Sequence, residues 1–239
     1  MTRTLGFAVY VIFMFSLSVD EATATEPPLD EDVYIEGESL EFNAVIAAYK
    51  GNARRLERYL AEDIDVNEEF RNHTILRDEN DRIPAGVFNY TPLLAVANSP
   101  YIDCDEARLK LAEKLLEAGA DMEARDSMGR TALVCAIHRN QTALAKFLIE
   151  EGADLNTRSS MAAGMVFGLT PTHYAIRNLE ILTALIDAGA RIDVRDSSGK
   201  TPLEVAELFE EEEAAEILRE ALATERRTCR DTARRDGAR

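Results

Sequence analysis

Apolar residues along this chain fall into short clusters at helical spacing, separated by turn residues. Leu115-Leu116, Phe147-Leu148-Ile149 and Leu185-Ile186 each close such a cluster. Each is followed by a glycine, at 119, 152 and 189, where a helix end favours a left-handed backbone. Upstream, Thr91-Pro92, Thr131-Ala132, Thr170-Pro171 and Thr201-Pro202 open further clusters. A threonine followed by proline supplies an N-cap oxygen and a first helical residue that needs no donor. The pattern predicts helix pairs. An inner helix of each pair starts at the Thr landmark, and an outer helix stops at the Gly landmark. Small residues such as Ala95, Ala97, Ala136 and Ala175 allow inner helices to approach closely.

The pairs are copies of one unit. Glu117-Ala-Gly-Ala-Asp121 recurs as Glu150-Glu-Gly-Ala-Asp154 and again as Asp187-Ala-Gly-Ala-Arg191. Asp126-Ser-Met-Gly-Arg-Thr131 is nearly repeated as Asp196-Ser-Ser-Gly-Lys-Thr201. Spacings near 33 residues with several landmarks in fixed order resemble the ankyrin repeat. That resemblance implies an all-α repeat solenoid of about five stacked ankyrin-like helix-turn-helix repeats with extended β-turn fingers, over roughly 39–224. A degenerate first repeat fits Phe42 to Asn67, and the fifth runs from Asp196 to about Ala223. The fourth has the shortest distance between its landmarks, Thr170 to Gly189, which predicts a clipped helix. No repeat covers its own apolar face, so stacking must supply the stability.

Three joins are longer than the repeat needs. Asn67 to Thr91 and Asn156 to Thr170 form two long fingers; a third insertion, between Ala97 and Leu109, carries Pro100, Asp103 and Cys104 on another edge. The first finger holds Phe70, Ile75, Leu76, Ile83, Val87 and Phe88, and the second holds Met161, Met165, Val166 and Phe167. These side chains either form a contact surface or fold back onto the array. Phe70 and Met161, nearest the tips, are the candidates for exposure.

The ends read differently. Arg3, an apolar run from Leu5 to Val19 and Ala22-Thr23-Ala24 predict a secretory signal peptide over 1–24, an uncleaved anchor being the alternative. An acidic leader follows over 25–38. The Arg-rich segment 225–239 is expected to be a flexible tail, solvated or folded back on the acidic body. The signal implies a periplasmic or secreted protein with no stable membrane insertion after cleavage. Cys135 reads as a core residue, and a Cys104–Cys229 bond stays open.

Charge and chemistry narrow the function. With 27 Lys plus Arg against 44 Asp plus Glu, the net charge of -17 argues against nucleic-acid binding. Three scattered cysteines without a C-x-x-C, and three histidines, give no metal site and call for no cofactor. No Gly-rich phosphate loop, H-E-x-x-H or G-x-S-x-G occurs, so no enzymatic activity is expected. The resemblance implies a binding module using its fingers and groove-facing helices, monomeric when alone. On the family pattern, Arg125, Met128, Arg130, His138, Arg139, Arg158, Arg177, Arg195 and Lys200 fall at finger or groove positions, with Phe70 and Met161 beside them. Such a basic face in an acidic body suits another protein bearing an acidic patch. The competing role for these cations is local pairing with Asp126, Asp196 and Glu123. Three functions follow in order: a scaffold or stabiliser for an envelope protein, an immunity protein against a periplasm-acting toxin, and a hydrolase with a site in the fingers. His173, in Thr-Pro-Thr-His, matches the family's structural histidine.

Overall fold

The computed structural model describes residues 39–236 except 63, 72–76, 79–80, 83–88 and 161–167. The expected signal peptide, acidic leader, Met161 and most of the apolar residues of the two long fingers lie outside the described residues. The architecture is an all-α repeat solenoid, and the chain divides into two compact units that meet in sequence at Ala153 and Asp154.

The first unit contains three helix pairs: α1 (Leu40–Tyr49) with α2 (Ala53–Leu60), α3 (Pro92–Asn98) with α4 (Asp105–Glu117), and α5 (Ala132–His138) with α6 (Thr142–Glu150). Inner helices pack in sequence, α1 on α3 and α3 on α5, while α4 lies against α6. The landmarks act as the sequence predicts. Thr91 begins α3 and its hydroxyl accepts from Leu94 N, while Gly119 and Gly152 adopt positive φ just beyond their outer helices. Leu93, Leu94, Leu111, Leu115, Leu133, Leu144 and Leu148 are fully buried, so the core is a continuous seam of stacked leucines.

Asn67 ties neighbouring repeats together. Its amide donates to Gly119 O at 3.0 Å and its carbonyl accepts from Asp121 N at 2.7 Å, so one side chain closes the orphan groups after α4. The long first finger adds two short antiparallel pairs, β1 (Phe70–Arg71) with β4 (Asn89–Tyr90), and β2 (Arg77–Asp78) with β3 (Asp81–Arg82). Its base is anchored where Tyr90 stacks on Tyr49 at 6.4 Å.

The insertion after α3 is rigidly held. Arg108, buried on α4, donates to Val96 O, Ser99 O and Ile102 O. Ser99 Oγ donates to Tyr49 O, and Tyr101 meets Tyr49 edge-on. A Cβ on Gly51 would lie 2.9 Å from Ile102 Cγ1, so the loop packs directly on the α1–α2 turn.

The second unit holds two pairs. The inner helix of its first pair is reduced to α7 (Pro171–Tyr174) and one 3₁₀ turn (Ala175–Arg177) before α8 (Leu179–Asp187), which is the clipped helix that the landmark spacing predicts. The second pair is α9 (Pro202–Leu208) and α10 (Glu212–Asp236). Asn156 repeats the role of Asn67, accepting from Arg191 N at 2.8 Å. The largest departure is at the end of the chain. Residues 225–236, expected as a flexible tail, continue α10 as helix to Asp236.

Candidate functional site

Two finger turns, one in each unit, are built on an aspartate. In the first unit, Asp126 Oδ1 accepts from Met128 N and Arg130 N, both at 2.9 Å, and Gly129 turns the chain at φ 68°. Arg130 folds inward over this turn. Its Nε and Nη2 donate to Asp126 Oδ2 at 2.8 and 2.6 Å, and the two side chains are 5% and 0% exposed. Arg130 therefore reads as a turn brace and is not available as a contact residue. Arg125 stays exposed with Nη1 3.4 Å from Gly129 O, and Met128 is half-buried beside it.

In the second unit, Asp196 Oδ1 makes the same turn with Ser198 N at 2.8 Å and Lys200 N at 2.9 Å, and also accepts from Ser198 Oγ. The Lys200 side chain is half-buried and makes no ion pair among the described residues. Arg195 is exposed and pairs with Glu204 at 3.0 Å, itself the N3 residue of a capping box with Thr201. The guanidinium of Arg158 donates to Arg195 O at 2.9 Å, so two exposed arginines on successive fingers meet.

Two of the candidate cations sit elsewhere. Arg139 follows the last residue of α5, and Arg177 ends the 3₁₀ turn, where it pairs with Glu211 at 3.4 Å and lies 5.5 Å from the Phe209 ring centroid. Both are at the far end of their inner helices from the fingers. A seven-residue helix is about 10 Å long, so the candidates divide between finger ends and helix-turn ends and do not form one basic patch. A cation at a helix C-terminus also complements the macrodipole, which explains these two without a ligand.

The two described histidines, His138 and His173, are held neutral. Thr170 N–H donates to His173 Nδ1 at 3.1 Å, which leaves Nε2–H to donate to Lys200 O at 3.1 Å. Burial pushes His173 down to about 4. His138, half-buried, is also lowered to about 4, by burial first and then by the charges of Arg130 and Arg139. Burial raises the Cys135 thiol to about 12, so it is a packing residue, while Cys104 is an exposed free thiol. Among the described residues no group of three His, Cys, Asp or Glu side chains is placed to hold a metal ion. Phe70 is fixed through the backbone of β1, opposite Tyr90.

Residues 44–159 match the description "Ankyrin repeats (3 copies)", and residues 167–197 match "Ankyrin repeat". The chain belongs to the ankyrin-repeat family. No curated protein matches it. Ankyrin repeats are protein-protein interaction modules, generally without catalysis.

Sequence reasoning missed Arg108, Asn67 and Asn156. The two asparagines share a signal, Asp65-Val-Asn67 and Asp154-Leu-Asn156, at matching positions after an outer helix. Arg108 had none, because its acceptors are carbonyls of the end of α3 and of the loop after it, whose path is set by packing.

Proposed function

We propose that this protein is an exported, non-enzymatic ankyrin module that binds an acidic patch on a periplasmic or envelope protein and acts as its scaffold or stabiliser. The exposed finger arginines of the second unit, Arg158 and Arg195, carry the contact. The observation that supports this reading is the hydrogen bond from the exposed Arg158 guanidinium to Arg195 O, which joins two successive fingers that each present an exposed arginine. Two guanidinium groups held on rigid turns offer bidentate contacts to carboxylates with little ordering cost. Arg130 fixes the turn of the first unit that carries Arg125 and Met128.

Capture from native envelope extract, with the Arg158→Glu/Arg195→Glu variant beside the wild type, tests the reading. A partner retained by the wild type and lost by the variant is the expected result. A partner retained equally by both moves the contact away from these fingers. Intact-mass measurement of the protein from the same extract tests export: a chain beginning at Thr25 is expected, and one retaining residues 1–24 contradicts it.

A further inference from the structure

Helix α10 is longer than its repeat requires. The outer helices α2, α6 and α8 have eight or nine residues, whereas α10 has 25. It packs on α8 and α9 through Ala214, Ala215 and Leu218, which are buried. Glu212, Glu216 and Glu220 are exposed, and their carboxylates make no hydrogen bond or ion pair among the described residues. Further along the same helix, Arg226, Arg230 and Arg234 follow one another at the same i, i+4 spacing.

The two columns mirror each other about Ala223. Glu220 and Arg226 lie three residues on either side of it, Glu216 and Arg230 seven, and Glu212 and Arg234 eleven. At about 100° per residue, all seven positions fall within an arc of about 120° on one side of the helix. Like charges at i, i+4 repel, so each column weakens the isolated helix. Because residues 212–236 form one continuous helix, the basic end cannot turn back onto the acidic column of its own chain. The basic stretch beyond Glu225 extends about 16 Å, roughly two Debye lengths at physiological salt. That distance takes it out of the strongest field of the acidic body. Arg219, also on this side, is already held by Glu207 at 2.6 Å.

We propose that this face of α10 is a self-complementary interface on which a second copy of the chain docks antiparallel. A two-fold axis at Ala223 sets Glu212, Glu216 and Glu220 of each copy opposite Arg234, Arg230 and Arg226 of the other. Such an isologous arrangement closes at two copies. An apolar contact is not available: Thr228, Cys229, Thr232 and Ala233 are the uncharged residues between Arg227 and Arg234. The association is therefore weak, electrostatic and salt-sensitive. The monomer expected from sequence is the high-salt, dilute form.

Sedimentation equilibrium of the full chain, up to about 1 mM protein at low and high salt, tests this. Dimer mass at low salt and monomer mass at high salt are expected. Arg226→Glu/Arg230→Glu/Arg234→Glu and Glu212→Arg/Glu216→Arg/Glu220→Arg should each be monomeric alone and form a dimer when mixed one to one. A wild type that stays monomeric throughout, or a mixture that does not associate, overturns the proposal. Register is read independently by Ala223→Cys with Cys104→Ser and Cys229→Ser. Because a residue on a two-fold axis meets its own copy, mild oxidation should yield a covalent dimer at low salt and at least tenfold less at high salt. Absence of a covalent dimer at low salt contradicts the register, and cross-linking that is equal at both salts contradicts the electrostatic contact.

Discussion

The finger turns at Asp126–Thr131 and Asp196–Thr201 have nearly the same sequence and the same backbone hydrogen bonds, yet their cations do different work. Asp126 is covered by Arg130, forming an ion pair withdrawn from water. Asp196 accepts from backbone amides, that of Lys200 among them, and from the Ser198 hydroxyl, and Arg195 stays exposed beside Glu204. Arginine reaches over the turn with a planar fork matched to a carboxylate; lysine carries a compact charge with no such fork. A basic residue at one repeat position is thus a buried brace in one repeat and a half-buried side chain without an ion pair among the described residues in another.

Removing each aspartate breaks the comparison most forcefully. Asp126→Ala removes the carboxylate from a buried ion pair and should cost about 3–5 kcal/mol, whereas Asp196→Ala loses turn hydrogen bonds and should cost about 1–2 kcal/mol. Urea unfolding followed by circular dichroism separates the two, and equal losses would mean that the Arg130 pair adds nothing.

Acid should find the next weak point at the second turn. His173 is neutral when folded, with its pKa near 4, but titrates near 6.5 when unfolded. Between those values the unfolded chain binds more protons, so stability falls as pH drops from 6.5 to 4 and the loss levels off below 4. The shift corresponds to about 3 kcal/mol for this group. His173→Gln should be less stable at pH 7 yet lose less over that window, as measured by unfolding at a series of pH values. An unchanged slope would remove His173 as the sensor.

Helix starts, helix stops and repeat order were legible because each is encoded locally. Thr91 and Thr201 bond their N3 amides, and Gly119, Gly152 and Gly189 occupy the left-handed conformation that their positions demand. The shortened fourth repeat was legible too, as a missing pair of residues between landmarks. The inward turn of Arg130 was not, since a cation beside Asp126 reads equally as a surface group until neighbouring repeats enclose it. Local composition also misrepresented the end of the chain: 225–236 lacks an apolar face, so nothing in it predicts a packed helix, although it continues one that Leu218 and Ala215 anchor. The two ends of the inner helices were merged for a similar reason. Arg139 and Arg177 are basic and close in repeat register to the groove, but they stand a helix length from the fingers.

Exchanging the cations sharpens the contrast at smaller cost. Arg130→Lys should lose about 1–2 kcal/mol, because one ammonium cannot replace two donors to Asp126, while Lys200→Arg should be within about 0.5 kcal/mol of wild type. Thermal melts of the two variants decide this. Smallest of all, Arg195→Ala removes an exposed pair with Glu204 and should cost under about 1 kcal/mol. A larger loss in the melt would show that Arg195 is a brace like Arg130 and not a surface group.

The central claim is that exposed finger arginines bind the partner while the buried one supports the turn. Charge reversal at Arg130 would report folding, so the direct measurement uses Arg158→Glu/Arg195→Glu in calorimetric titration against the partner recovered by capture. The account predicts an affinity at least about tenfold weaker, ~1.4 kcal/mol, with a cooperative melt that shows the variant still folded. An equally stable double variant that binds as tightly as wild type would contradict it.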